Sequence, residues 1–431
     1  LLREFGTDSR RELTWLFSGY NIAYAATLLT AGRLADAYGR KKAFLRGLVI
    51  FAIGSALCGF AQNPEMLIGS RIIQAIGGAI LSPASLALVL PEFPVERRSA
   101  AIGIWGAVGG LSAAMGPVIG GWLIDIANWR AVFFVNVPVC LITVAIGVKF
   151  LKESLDETAH KHVDIPGALL AVVSVGLLAL AIVQSDEWGW ATPTTIAILA
   201  GSALATAAFV ATCRRSTVPV LDLRLLKLPF VTASTVAGLV FSAGFYAMIF
   251  VNTQWLQAVW GYGVLKSGWA TVPGPFMAAV VAAPAGRAAH RFGHGKVIGL
   301  GCLIFATSML FMNVLMVREP SFWTHFFPFN VISGIGIGLS ISTFSSAATA
   351  YLPHTRFAMG SALSNTARQV GAALGLAIVG SLLTAAVKSK DVAHGVQQGW
   401  TYVSITIFIA GAVMIALFRK PTAEQLVTAA A

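Results

Sequence analysis

The sequence predicts an all-α polytopic membrane protein, a two-halves helical bundle with an inserted central helix pair. Three observations carry that reading. Of 431 residues, 57% are apolar and only 11% are charged, against about 25% charged in soluble domains. Thirteen apolar runs follow one another along the chain, each near the roughly 20 residues that a bilayer core about 30 Å thick requires. A polar segment between two of these runs recurs in register 254 residues later. The composition excludes a water-soluble enzyme, which has no means of hiding so much apolar surface. It also excludes disorder, which needs low hydrophobicity with high net charge.

The runs are 15–34, 43–62, 66–90, 99–124, 131–150, 166–183, 194–213, 231–252, 268–286, 297–316, 326–350, 359–386 and 400–419. Alternation of period two is absent and Gly and Ala are plentiful, so a β-barrel does not compete. The net charge of +12 resides in short basic clusters between runs, the pattern of cytoplasmic membrane loops, and no nucleic-acid partner is expected. Taking the connection after the first run and every second one thereafter collects twenty Lys and Arg; the opposite side holds eight, and Arg71 and Arg368 lie within runs. The richer side is predicted to be cytoplasmic, with the visible amino end outside and the carboxyl end inside. The chain opens on Leu1, and one further helix before it is expected, giving fourteen spans with thirteen visible. Cys58, Cys140, Cys213 and Cys302 all lie in apolar runs without a CxxC pair, so neither disulfide, metal nor cofactor is expected.

Gly32–Lys42 reads GRLADAYGRKK and Gly286–Lys296 reads GRAAHRFGHGK. Gly32, Arg33, Gly39 and Lys42 coincide with Gly286, Arg287, Gly293 and Lys296, and both segments are read as cytoplasmic loops after a span. Neighbouring spans align at nearly the same offset, Arg71–Gly77 against Asn330–Gly336 and Arg98 against Arg356. Duplication is the reading, and such repeats mark transporters with a site between the halves. The pairing leaves 166–183 and 194–213 unmatched, which gives a first half over 1–150, an inserted helix pair with its flanking loops over 151–230 and a second half over 231–431.

Individual residues then carry chemistry. In the first loop segment the glycines permit a tight turn, Asp36 caps or bridges, and Arg40 and Lys41 hold to the cytoplasmic face; a solvated basic loop is the bland alternative. Arg71 lies inside a run, where a charge costs about 2.5–3.5 kcal/mol on insertion scales, so it faces a partner or cavity or snorkels to the nearer end. Arg368 is placed similarly, with Asn365 and Gln369 beside it. No Asp or Glu falls deep in any run; Glu65 and Asp125 sit at span ends and Asp186 in an outer loop. Gly103, Gly106, Gly110, Gly116 and Gly120, with Pro117, let one span approach a neighbour closely or bend. Tyr20, Asn21, Tyr24, Trp105, Tyr246, Asn252, Gln254, Phe344 and Asn365 are candidates to line a pocket for flat apolar cations, ordinary packing being the alternative. His290 and His294 are four residues apart, but no carboxylate completes a metal set.

These strings together resemble the major facilitator superfamily and, within it, the fourteen-helix drug:proton antiporter family. GRLADAYGRKK matches the superfamily's loop motif in full. RIIQAIGGA at Arg71–Ala79 is similar to the fourth-helix motif, with Arg71, Gln74 and Gly77 in place. GPVIGG at Gly116–Gly121 resembles the fifth-helix antiporter motif, with Ser112 where a Gly is usual. WRAVFFVNVP at Trp129–Pro138 and NTARQVG at Asn365–Gly371 resemble signatures of the fourteen-helix branch.

The resemblance implies a major-facilitator-type bundle. It also implies proton coupling at Arg71 and Gln74; for Arg368 a role in the transport cycle and structural pairing with a facing carbonyl both stay open. The gating motif would be Gly32, Asp36, Gly39, Arg40 and Lys41, and the antiporter interface Gly116, Pro117, Gly120 and Gly121. His290 stands where the first copy has Asp36, so the latch is asymmetric, and the family's usual proton-carrying carboxylate belongs to the helix expected upstream. The function expected is proton-coupled efflux of amphipathic or cationic small molecules by alternating access, without covalent catalysis, in the plasma (inner) membrane. The partners are the substrate, protons and the bilayer. A dedicated metabolite or lipid exporter and a proton-coupled importer stay open on the same fold. A membrane-embedded enzyme acting on lipid would need His clusters or paired carboxylates, and ATP-driven transport would need GxxxxGK[ST]; neither pattern occurs.

Overall fold

The computed structural model describes residues 10–94, 98–153, 164–216, 219, 221, 223–352, 357–388, 391–419 and 421–422. Each of the thirteen apolar runs falls on helix. The helices are α1 (Arg10–Tyr38), α2 (Arg40–Gly59), α3 (Pro64–Val89), α4 (Arg98–Ile126), a short α5 (Ala131–Phe134) leading into α6 (Asn136–Phe150), α7 (Ile165–Trp188) and α8 (Pro193–Arg215). They continue with α9 (Pro229–Gln254), α10 (Val264–Thr271), α11 (Pro273–Phe292), α12 (His294–Leu315), α13 (Phe327–Ala347), α14 (Phe357–Lys388) and α15 (Val392–Leu417). A π-helical turn, Trp255–Val259, prolongs α9, and another, Phe322–Phe326, leads into α13. Among the described residues ten helices are long and apolar enough to cross a membrane, and none of these residues is in a strand.

Helix ends follow local chemistry. Asp164 caps α7 by accepting from the Gly167 backbone N–H at 2.9 Å, with Pro166 in the first turn. Thr192 caps α8 ahead of Pro193, and Asp391 caps α15 through the His394 N–H at 3.1 Å. Gly189, at φ +87°, ends α7. Nothing breaks that helix earlier, so Asp186 stands in its last turns, where the sequence reading had an outer loop.

The larger correction concerns the repeated segments. Gly32–Lys42 is not a loop: residues 32–38 are the last turns of α1, 40–42 are the first turn of α2, and Gly39 alone joins them at φ 102°, ψ 130°. In the second copy Gly293 joins α11 to α12 at φ 95°, ψ 139°. Both dihedral pairs are open to glycine and strained for other residues. Polar side chains on the end of a helix that reaches water read as a loop in sequence, so the sequence spreads over eleven residues a turn that the backbone makes at one glycine.

The chain folds as two compact units: Leu1–Glu92 with Trp122–Leu223 and His354–Thr366, and Phe93–Gly121 with Arg224–Pro353 and Ala367–Ala431. In the first, α1 packs on α3 and α7, α2 packs on α3 and α6, and α7 pairs with α8. In the second, α9 and α12 pack on α15, and α11 and α12 on α13. That unit's core centres on Phe241, Phe305, Phe344, Trp255 and Trp400, all nearly or fully buried.

Candidate functional site

The first unit gathers a polar cluster from three helices. Arg71, two turns into α3, donates from Nη1 to Gln74 Oε1 at 2.6 Å, a contact within one helix face. Gln74, 2% exposed, donates in turn from Nε2 to Ser55 Oγ on α2 at 2.6 Å. The guanidinium carbon lies 4.1 Å from the centroid of the Tyr20 ring on α1 and 5.8 Å from that of Phe133 on α5. Arg71 Nε is buried and has no hydrogen-bond partner among the described residues. Arg71 is thus drawn in among helices rather than extended toward the span end.

Close backbone approach makes this geometry. A Cβ on Gly54 would stand 2.5 Å from Gln74 N, and one on Gly77 2.5 Å from Phe51 N, so α2 and α3 meet backbone to backbone. A Cβ on Gly78 would lie 3.1 Å from Tyr20 Oη, which seats Tyr20 and its stacked neighbour Tyr24 (ring centroids 6.0 Å apart) along α3. Chemically the cluster holds one fixed cation on aromatic faces and neutral amide and hydroxyl groups.

The end of the same unit carries the hinge segment. Lys41 N donates to Glu153 Oε1 at 3.0 Å, and Lys41 Nζ donates to the Val148 carbonyl at 2.9 Å. A Cβ on Gly39 would stand 2.8 Å from Glu153 Oε1. Arg40 Nη1 donates to the Ala87 carbonyl on α3 at 3.5 Å. Gly32 is buried in α1. The side chains of Arg33, Asp36 and Pro117, and the surroundings of Gly103, Gly106 and Gly110, lie outside the described residues.

The signature at Trp129–Pro138 forms a clasp. Arg130 donates from Nη2 to the Ala61 carbonyl at 3.1 Å and lies 4.4 Å from the Trp129 ring centroid. Phe134 meets Phe60 edge to face at 5.0 Å and leaves no room for a Cβ at Gly59.

The remaining predicted residues are dispersed. Asn21 is exposed, and Asn365 is half-buried in the first unit. In the second unit Trp105 and Gln254 are half-buried, and Tyr246 is 37% exposed. Asn252 does not stand open: its Oδ1 accepts from Trp400 Nε1 at 2.8 Å in the buried core. Phe344 is fully buried, 5.2 Å from Phe241. The Cγ of Arg368 comes within 3.4 Å of where a Cβ on Gly238 would stand, so its stem runs along α9.

Two glycine pairs behave differently. Gly371 and Gly375 on α14 pack onto the Leu239 and Ala243 carbonyls of α9 with no space for a Cβ. No described atom lies within 4 Å of a Cβ on Gly116 or Gly120, and Gly121 meets Leu265 at 3.7 Å. Sequence reasoning missed Ser55, Phe133 and Glu153. It also passed over the GxxxG spacing of Gly371 and Gly375, a readable signal for close helix contact.

A sequence profile of the Major Facilitator Superfamily matches residues 1–252 and 234–430. The tetracenomycin C resistance and export protein of Streptomyces glaucescens is 32% identical over 383 residues, 88% of this chain and 70% of that protein. The multidrug resistance protein Stp of Mycobacterium tuberculosis is 33% identical over 376 residues, 86% and 69% of the two chains. The multidrug efflux pump LfrA of Mycolicibacterium smegmatis is 30% identical across 100% of this chain and 85% of its own length. Among solved structures, the human organic anion transporter MFSD10 (TETRAN) superposes with a TM-score of 0.63 over 96% of this chain and 87% of that one, a likeness of fold alone at 15% identity. Apolar helices, fold and sequence agree: the chain belongs to the Major Facilitator Superfamily and is an integral membrane transporter.

Proposed function

We propose that this transporter exports amphipathic, cationic small molecules in exchange for protons, by alternating access. The observation that carries the reading is Arg71, half-buried within a span and held by Gln74 and the Tyr20 ring. A guanidinium keeps its charge at any working pH, so it is not the proton carrier. Its field favours the ionised form of a carboxylate brought near it and opposes a second cation. Such a field helps a nearby carboxylate to release its proton, which suits exchange of a proton for a cation.

The export direction draws support from relatives named for resistance, export and efflux. The fourteen-helix antiporter branch draws support from the helix pair α7–α8 and from the Arg130 clasp at its signature. In this reading the carboxyl end faces the cytoplasm of a plasma membrane, and the Gly39 hinge with Asp36, Arg40 and Lys41 gates the cytoplasmic side. The halves are residues 1–150 and 231–431, with 151–230 inserted between them. The test is proton movement in everted membrane vesicles, read by a pH-sensitive dye as lipophilic cations are added singly. Acid-loaded vesicles lose their gradient on addition of a substrate if exchange is coupled; a gradient untouched by a cation shown to be transported would refute coupling.

A further inference from the structure

Helix α7 carries a side chain whose polar atoms meet no partner. Gln184 is 0% exposed, and neither its Nε2 nor its Oε1 has a hydrogen-bond partner among the described residues. Other buried polar side chains of the pair are satisfied. Ser185 donates to the Ile182 carbonyl at 2.6 Å, Ser174 to the Ala171 carbonyl at 3.1 Å, Ser202 to the Ser174 carbonyl at 2.9 Å and Thr195 to the Gly189 carbonyl at 2.8 Å. A buried amide that leaves both its donor and its acceptor unused carries the full desolvation penalty of each. Leu or Met fills the same space without that penalty, so packing of the helix pair does not account for an amide here.

The position of Gln184 suggests what the amide serves. A Cβ on Gly176 of α7 would stand 3.6 Å from Ala26 Cβ of α1, so the two helices cross there. Alternation of the spans runs α7 antiparallel to α1. Gln184 lies eight residues beyond Gly176, about 12 Å along the axis, which brings it level with residue 18 of α1 and within a turn of Tyr20. It therefore shares the depth of the Arg71–Tyr20–Gln74 cluster within one compact unit.

We propose that Gln184 is a substrate-selecting residue, whose Oε1 accepts a hydrogen bond from an N–H group of an amphipathic cation. The proposal rests on the export reading above. A carrier that alternates between states exposes in one what it shuts away in another, and a pairing made there removes the penalty left in the closed state. A cation without a hydrogen-bonding group gains nothing from the amide. Selection at Gln184 is therefore by chemistry and not by size.

The test uses the purified full-length protein and two probe cations, ethidium, with two aryl amines, and tetraphenylphosphonium, with no hydrogen-bonding group. Affinities come from equilibrium dialysis. Q184M should lower the ethidium-over-tetraphenylphosphonium affinity ratio about ten-fold, the loss of one hydrogen bond, and Q184N, with the amide one methylene shorter, should lower it less. A ratio within two-fold of wild type in both variants overturns the proposal, as does a wild-type protein that binds neither probe. If Q184M fails to fold in a thermal unfolding check, Q184N decides alone. Should the ratio fall while neither probe moves protons in vesicles, the assignment of Gln184 stands and the coupled-export reading fails.

Discussion

The Glu153 carboxylate occupies the space that a side chain at Gly39 would need, its Oε1 2.8 Å from the ideal Cβ position, while accepting the Lys41 backbone N–H at 3.0 Å. The equivalent hinge in the second copy, Gly293, has nothing described within 4 Å of its Cβ position. The duplicated backbone turn is thus kept in both halves, and among the described residues a carboxylate from a distant segment clamps only the first.

Substitution separates strain from clamping. G293A meets only the positive-φ penalty, of order 1–3 kcal/mol, whereas G39A meets that penalty and displaces Glu153. Thermal unfolding of the purified protein should therefore rank G39A below G293A, and E153A should recover part of the difference in the double variant. Equal effects of the two alanines would show that Glu153 does not bear on the hinge.

Tyr20 is expected to matter to Arg71 through its ring and not its hydroxyl. A cation–π contact with this geometry is worth about 0.5–2 kcal/mol. Y20F should keep coupled transport close to wild type in the dye assay, and Y20L should slow it several-fold at unchanged expression. Loss of coupling in Y20F would point instead to the hydroxyl, which lies beside Gly78.

The contact between α9 and α14 has no spare volume at Gly371 and Gly375. Forcing a larger side chain into a packed crossing costs about 1–3 kcal/mol or more. G375L should lower the unfolding temperature and the yield of inserted protein, and A243G should not relieve it, because the obstacle is the residue 243 carbonyl. Rescue by A243G would place the clash on the side chain.

Outside the spans, Asp391 gives a pH dependence of known sign. Its carboxyl is held below the usual carboxylate range first by the His394 backbone N–H and then by Arg318, whose Nη2 is 3.1 Å from Oδ1. A group depressed in the folded state contributes stability above its unfolded pKa and loses it as pH falls through the folded value. D391N should therefore be less stable than wild type near neutrality, with the gap closing as pH falls below the usual carboxylate range. The pair is exposed, so the gap is small. A gap that widens on acidification would contradict the assignment.

The thirteen apolar runs all proved helical because length and apolar composition are properties of a single segment. Arg71 and Gln74 were legible together because they are three residues apart on one helix. Ser55 and Phe133 were not, since nothing local marks a serine or phenylalanine in an apolar run as the one that meets a charge from another helix. Glu153 stood in a polar stretch where any residue would have looked the same. Asn252 was read as a pocket amide because an amide in a span signals a need for a partner without naming it; the partner is Trp400, 148 residues away. The repeat is readable as letters, and the closely similar backbone turns at Gly39 and Gly293 give those letters their physical cause.

The proposed coupling of substrate export to proton entry would run through the Arg71 cluster. Everted vesicles carrying the wild-type protein or R71A, matched for inserted protein, test it with a pH-sensitive dye and a lipophilic cation that both bind. The cation should dissipate the acid interior of wild-type vesicles and leave that of R71A vesicles standing. Equal dissipation in both would remove Arg71 from coupling, and cation accumulation in wild-type vesicles with no loss of the proton gradient would contradict antiport itself.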